Sequence, residues 1–149
     1  MRRGFSLVEL IIVVAILGIM AAIVVPQFQG NSTEAKVAVA KEGLRILRSS
    51  IEVYAAQHGG IPPGYENDNP QATPTYENFY DQLVTSNDYM SKMPKNPFND
   101  LQTVYMVGNS QTFPQSPVDG YGWIYQPATK TIKLNYEGTS PEGILYINF

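Results

Sequence analysis

A run of 21 residues near the N-terminus, Phe5 to Val25, constrains this chain more than any other feature. It reads FSLVELIIVVAILGIMAAIVV and carries a single charged side chain, Glu9. A helix of that length is about 31 Å long, which is close to the thickness of the hydrocarbon core of a bilayer. Arg2 and Arg3 precede the run, and positive flanks stay on the cytoplasmic side. The pattern predicts a membrane-spanning helix with a short tail inside and the rest of the chain outside.

The carboxylate of Glu9 is costly in such a helix. An acidic residue at the centre of a membrane span costs about 2.5–3.5 kcal/mol on insertion scales, and such residues are by default functional. Cleavage between Gly4 and Phe5 would supply a partner, because the new α-amino group is largely cationic at neutral pH and lies one helical turn from Glu9. The same pair between neighbouring subunits would fix their axial register. Gly4 is small enough to let a protease approach the backbone.

Three simpler interpretations of the run compete with this one. A secretory signal peptide fits by length, but Met20-Ala21-Ala22 is a poor cleavage site and Glu9 interrupts the apolar core. A twin-arginine signal is disfavoured because Arg2-Arg3 lie too close to the start. An ordinary membrane anchor leaves the position of Glu9 unexplained.

The segment Gly4-Phe5-Ser6-Leu7-Val8-Glu9, followed by the apolar run and Pro26, resembles the leader of type IV prepilins. That family includes type IV pilins and the pseudopilins of type II secretion and of competence. The resemblance implies cleavage after Gly4 and N-methylation of Phe5 by a membrane prepilin peptidase. It also implies that Glu9 is the assembly carboxylate.

Two residues that disfavour helices lie along or just after this run. Glycine weakens a helix by roughly 1 kcal/mol relative to alanine and proline by about 3 kcal/mol, and Gly18 and Pro26 are such positions. The resemblance implies that the stretch between them can unwind on assembly, whereas the simpler interpretation is that Pro26 marks the membrane exit. We expect one long helical spine that is interrupted near residues 26–30.

A second helical pattern covers residues 31–58. Its apolar residues recur every three or four positions, which places them on one helix face; they are Val37, Ala40, Leu44, Leu47, Ile51 and Tyr54. We interpret this face as packing on a sheet of the same chain, with a coiled-coil seam as the alternative. Gly59-Gly60 ends the helix. The lone histidine, His58, lies beside that end, and we expect it to contact the helix dipole rather than a metal.

The C-terminal part, residues 61–149, has the pattern of a small α+β head. Two β-rich runs around a short turn, 122–126 and 131–135, predict a hairpin, while a helix is expected at 76–90 and a last strand at 145–147. The expected fold is the helical spine packed on a small antiparallel sheet, as in pilins. The predicted domains are a leader at 1–4, a transmembrane and assembly helix at 5–25, an amphipathic stem at 26–60 and a globular head at 61–149.

Composition limits the available chemistry. The chain of 149 residues has no cysteine, which excludes disulfides, thiolate metal sites and cysteine nucleophiles. The net charge is −3, so nucleic acid is not an expected partner. That charge is uneven: residues 1–49 hold six basic and three acidic side chains, and the rest hold four and ten. No catalytic constellation, nucleotide-binding loop or zinc spacing is present in the sequence, so we expect no enzyme, no catalytic residues and no metal site.

The stem and head resemble one branch of the prepilin family. The stretch GNSTEAKVAVAKEGLRILRSSIEVYAAQHGGIPPG and the connector at 93–99 are similar to the type II secretion major pseudopilin, and GWIYQPATKTIKLN is similar to hairpins of pseudopilin-like proteins. The major pseudopilin usually holds calcium in a loop rich in Asp and Gly. Here Asp119, Glu137 and Glu142 are well separated, although calcium needs six or more oxygen ligands. We expect no cofactor and leave calcium open as an alternative.

The resemblance implies a structural subunit of a type II secretion filament, which polymerises through its N-terminal helix to drive protein export across the outer membrane. It implies as partners further copies, minor pseudopilins, a prepilin peptidase/N-methyltransferase, and an inner-membrane assembly platform with its ATPase. The expected location is the inner membrane, with a single pass, a cytoplasmic N-terminus and a periplasmic head, before assembly into a periplasmic filament. Two alternatives stay open: a type IV pilin for adhesion, motility or DNA uptake, and a membrane-anchored periplasmic binding domain that does not polymerise.

Overall fold

The computed structural model describes residues 6–86 and 89–149, and the side chains of all of these except residues 23–31. In chain order its helices and strands are α1 (Leu7–Gln57), α2 (Tyr76–Tyr80), β1 (Val104–Met106), β2 (Trp123–Gln126) and β3 (Thr131–Leu134). Short 3-10 turns cover Glu66–Asp68, Pro127–Thr129 and Tyr146–Asn148, and a π turn covers Asp81–Thr85. The chain divides into two compact units, residues 1–35 and residues 36–149.

Helix α1 continues through the region where a break was expected. The backbone is helical at residues 26–30, so the predicted interruption is wrong for this conformation. A proline removes one backbone hydrogen bond, and the bonds on either side continue the helix. The end of the helix is as predicted: Gly59 and Gly60 have positive φ angles of 65° and 90°, and the Gly60 N–H donates to the Ala55 carbonyl at 2.7 Å. This bond is the Schellman ending, which glycine favours.

The apolar face of the stem packs on the head, as predicted. All six of its residues are buried: Val37, Ala40, Leu44, Leu47, Ile51 and Tyr54. They share one hydrophobic core with Phe79 of α2, Trp123 and Tyr125 of β2, and Ile132 and Leu134 of β3. Trp123 approaches the helix closely because residue 43 is glycine; a Cβ there would lie 3.1 Å from the indole ring. Burial of one such aliphatic side chain contributes about 1.5–3 kcal/mol, so this face supplies much of the stability of the head.

The sheet has three strands in the order β1-β2-β3 and is mixed. Strands β2 and β3 are antiparallel, with Trp123 opposite Leu134, which confirms the hairpin. Strand β1 pairs with β2 in parallel, with Val104 opposite Trp123. The expectation of a purely antiparallel sheet is therefore wrong for one strand. With three residues, β1 is too short to show an alternating pattern, and its parallel pairing depends on a long connection to β2.

Two other head elements differ from the prediction. The prediction of a last strand at 145–147 is wrong, because Tyr146–Asn148 forms a 3-10 turn. This segment makes one β-bridge, between Thr139 and Leu145. The helix expected at 76–90 is shorter, because α2 passes into the π turn that ends at Thr85. Its start is capped by the Thr75 hydroxyl oxygen, which accepts the Asn78 N–H at 3.2 Å.

Asparagine side chains hold the proline-rich connector against the hairpin. The buried Asn96 amide donates to the carbonyls of Gly122 at 2.9 Å and Asn135 at 3.1 Å. The Asn135 side chain in turn accepts the Val118 N–H and donates to the Val118 carbonyl. Buried amides are costly unless they are paired, so these bonds fix the loops of the head around the sheet.

Candidate assembly site

The first unit presents an apolar surface that the described part of the chain does not cover. Every large aliphatic side chain from Leu7 to Met20 is exposed, from 44% at Val13 to 73% at Leu7. These side chains occupy all sides of the helix, a pattern typical of a segment that is surrounded by lipid or by other helices. An exposed apolar surface of this kind marks a membrane or protein interface.

The helix begins with one half of a capping box, a bond between Ser6 and Glu9 that the sequence analysis missed. Ser6 precedes the first helical residue, and its N–H donates to the Glu9 carboxylate at 3.3 Å. The Leu10 N–H donates to the Ser6 carbonyl at 3.2 Å. The signal, a serine followed three residues later by a glutamate, is present in the sequence. The carboxylate therefore lies at the N-terminal end of α1, where the helix dipole favours a negative charge.

The other predicted site residues are only partly described. Gly4 and Phe5 lie outside the described residues, so the cleavage site and the pairing of Glu9 with the Phe5 amine stay predictions. Gly18 lies within α1, with no described atom outside its own helix turns within 4 Å of an added Cβ. The backbone of Pro26 is helical, and its side chain is not described. Unwinding between Gly18 and Pro26 also stays a prediction.

The membrane span predicted at residues 5–25 falls partly outside the described residues, which lack Phe5 and the side chains of residues 23–25. Within the part that is described, we find no helix that is both long and apolar enough to cross a membrane. The span itself therefore stays a prediction.

The stem ends in a hydrogen-bonded cluster around Asp68. The Tyr54 hydroxyl donates to this carboxylate at 2.6 Å, and His58 Nδ1 lies 2.7 Å from its other oxygen. The rings of Tyr54 and His58 stack with centroids 3.9 Å apart. Partial burial would raise the pKa of Asp68, but hydrogen bonds from Tyr54 and His58 outweigh it and lower the pKa below its ordinary value. The partner of His58 is thus a carboxylate on the following loop, which the sequence did not indicate.

The carboxylates considered for calcium do not converge. No three His, Asp or Glu side chains of the described chain lie close enough together to hold a metal ion. Asp119 and Glu137 line a cavity of about 300 Å³, whereas Glu142 lies 3.2 Å from the Lys41 amine. Calcium stays an open alternative without a described set of ligands.

Among known protein families, the prokaryotic N-terminal methylation motif matches residues 1–25 of this chain. Together with the apolar helix and the α+β head, this motif defines a prepilin-type protein. The chain is 30% identical over 117 residues to the type II secretion system core protein G of Pseudomonas aeruginosa, an alignment that covers 75% of this chain and 79% of the relative. The chain therefore belongs to the family of type II secretion core protein G, the major pseudopilins.

The chain is also similar to proteins with other names. The prepilin peptidase-dependent protein D of Escherichia coli K12 is 26% identical over 107 residues, which cover 72% of this chain and 73% of the relative. The fimbrial protein EcpB of Eikenella corrodens is 41% identical over 61 residues, which cover 41% of this chain and 38% of the relative. No solved structure gives a significant match to the chain.

Proposed function

We propose that this chain is a structural subunit of a type II secretion pseudopilus, which polymerises through α1 to drive protein export across the outer membrane. The observation that carries the proposal is the uncovered apolar surface of residues 7–20, on a chain whose motif and family are those of core protein G. A helix that is apolar on all sides needs lipid or other helices around it. Lipid surrounds the helix in the membrane, and other helices surround it in the filament. The role is structural, and no residue is assigned a catalytic step.

Glu9 is the proposed assembly residue. Within the described chain its carboxylate accepts one hydrogen bond, from Ser6, at 3.3 Å, so it keeps acceptor capacity for a cation. Cleavage between Gly4 and Phe5 would create that cation on the Phe5 amine. An unpaired carboxylate is costly inside an apolar bundle, and pairing with the amine of a neighbouring subunit removes this cost. The pair would therefore select one axial register.

The pathway to the filament starts in the inner membrane, where α1 holds the chain with its N-terminus in the cytoplasm and its head in the periplasm. A prepilin peptidase/N-methyltransferase removes residues 1–4 and methylates Phe5. Because the sequence has no nucleotide-binding loop, energy comes from an inner-membrane assembly platform and its ATPase. Further copies and minor pseudopilins are the filament partners. Gly18 and Pro26 would let the helix unwind between them as it leaves the membrane.

Replacement of Glu9 by glutamine tests the proposal, because it removes the charge and keeps the size of the side chain. We expect processing and membrane insertion to continue, while filament number falls at least about tenfold, which corresponds to roughly 1.4 kcal/mol. Glu34→Gln is the matched control, since Glu34 is an exposed carboxylate of the same helix, and it should assemble normally. Filaments are counted by electron microscopy after shearing. Normal assembly of the Glu9→Gln chain would contradict the role of the carboxylate.

A type IV pilin is the second candidate, and the match to a fimbrial protein favours it. That match covers 41% of this chain, compared with 75% for core protein G. Neighbouring genes separate the two functions: a secretion ATPase and a secretin support secretion, whereas retraction and adhesion functions support the pilin. A wild-type chain that never forms filaments would instead support the non-polymerising periplasmic binding domain.

A further inference from the structure

A groove lies between the stem part of α1 and residues 92–95. Its volume is about 600 Å³, and its apolar lining consists of Ala38, Val39, Gly43, Ile46, Met93 and Pro94. Val39, Ile46 and Val53 are exposed and lie seven residues apart, so they form one line along α1. At 3.6 residues per turn this line is about 130° around the helix from the buried stripe. The described head therefore leaves a second apolar line of the stem uncovered.

The rim of this groove is basic. Lys92 and Lys95 line it, and they are two of the four lysines in residues 50–149, which also hold ten acidic side chains. No ion pair is found for either lysine within the described chain. Glu42, on the helix side of the groove, is held by Arg45 at 2.7 Å. An apolar ligand that carries a carboxylate could thus pack against the lining and pair with a lysine of the rim.

The same chain carries such a ligand in its C-terminal loop, residues 141–145, which are all exposed. This loop reads Pro-Glu-Gly-Ile-Leu, and the side chains of Ile144 and Leu145 are 45% and 49% exposed. The carboxylate of Glu142 lies beside them. Its ion pair with Lys41 is about half exposed at both ends, and a pair of this kind contributes little and exchanges readily.

The loop and the groove lie on opposite sides of the stem. Ile144 shares a small cavity with Lys41, Leu44 and Arg48 of α1, whereas the groove is bounded by Val39, Ile46 and their neighbours. By helical geometry the two sets of residues are separated by about 160° around the helix axis. One copy therefore cannot fill its own groove with its own loop, and a second copy can.

We propose that the loop at 141–145 of one copy docks into the groove of the next copy, in addition to the contacts of the apolar helices. Ile144 and Leu145 enter the apolar lining, and Glu142 pairs with Lys92 or Lys95. Because the two surfaces are different and lie on opposite sides of the subunit, the contact is heterologous and propagates along an open assembly. This inference rests on the proposed function, since it describes how the heads join within a filament.

Disulfide trapping tests the contact directly, since the chain has no cysteine of its own. Filaments of the full chain carrying Ile46→Cys and Ile144→Cys should give, on oxidation, a ladder of covalent dimers and higher multimers. The matched control pairs Val53→Cys with Ile144→Cys. Val53 lies on the same line but seven residues, or about 10 Å, further along the helix, and a disulfide needs Cβ atoms within about 4.5 Å. This control should give filaments without a ladder.

Charge reversal supplies a second, independent test. The chain with Lys92→Glu and Lys95→Glu should form at least about tenfold fewer filaments, and adding Glu142→Lys should restore them. If the disulfide test gives no ladder and the charge reversal gives no rescue, the proposed docking contact is wrong. The proposed filament function is not affected by that result. Absence of filaments from the wild-type chain would overturn both.

Discussion

Asp68 shows how one side chain can hold a strained turn in place. Both Asn67 and Asp68 have positive φ angles, 51° and 53°, a conformation that non-glycine residues adopt at a cost. The hydrogen bonds of Asp68 with Tyr54 and His58 fix this turn to the end of the stem. Burial is the main cause that raises the pKa of Tyr54, and the hydrogen bond to Asp68 raises it further. The hydroxyl of Tyr54 therefore remains a donor.

The lowered pKa of Asp68 predicts a pH-dependent contribution to stability. A carboxyl whose pKa is depressed by folding stabilises the protein above its ordinary pKa of about 3.9, and this stabilisation is lost as the pH falls through the lower, folded value. We expect the wild-type chain to be more stable than Asp68→Asn at about pH 6, with the difference shrinking towards about pH 2. Asparagine tolerates the same backbone conformation. Denaturation of both full chains in mild detergent measures the difference, and a gap that does not change with pH would refute this account.

The stem part of helix α1 has two apolar faces, one buried and one exposed. The predicted stripe is buried against the sheet, while Val39, Ile46 and Val53 remain exposed on another face. The sequence showed the first face because six apolar residues recur at helical spacing. It did not show the second, because three apolar residues that are seven apart form only a weak pattern in the sequence. The groove beside them is seen only in the structure.

Adjacent aliphatic residues of the stem allow a matched comparison of the two faces. Leu47 is fully buried, whereas Ile46 is more than a third exposed. Leu47→Ala should lower the free energy of unfolding by about 2–5 kcal/mol, because it removes buried methyl groups and leaves a cavity. Ile46→Ala should cost about 1 kcal/mol or less. Chemical denaturation of both variants measures this, and equal losses would show that the two faces are not distinct in the folded protein.

Across the whole molecule, the sequence predicted the parts whose determinants are local. The helix end at Gly59-Gly60, the hairpin of β2 and β3 and the buried stripe follow from spacing and turn chemistry, and the family follows from the first residues of the chain. Strand β1 and the 3-10 turn at Tyr146–Asn148 depend on long-range packing, which no window of the sequence contains. The bond between the Ser6 N–H and the Glu9 carboxylate also has a local determinant, a serine followed three residues later by a glutamate.

Removal of the leader and assembly of the chain into a filament are the two steps on which the proposed function depends. Mass spectrometry of filaments sheared from cells that carry the secretion system tests both steps. We expect the intact mass to be that of a chain that begins at Phe5 and carries one added methyl group. A filament that lacks this chain, or a chain that retains Met1 to Gly4, would contradict the proposed function.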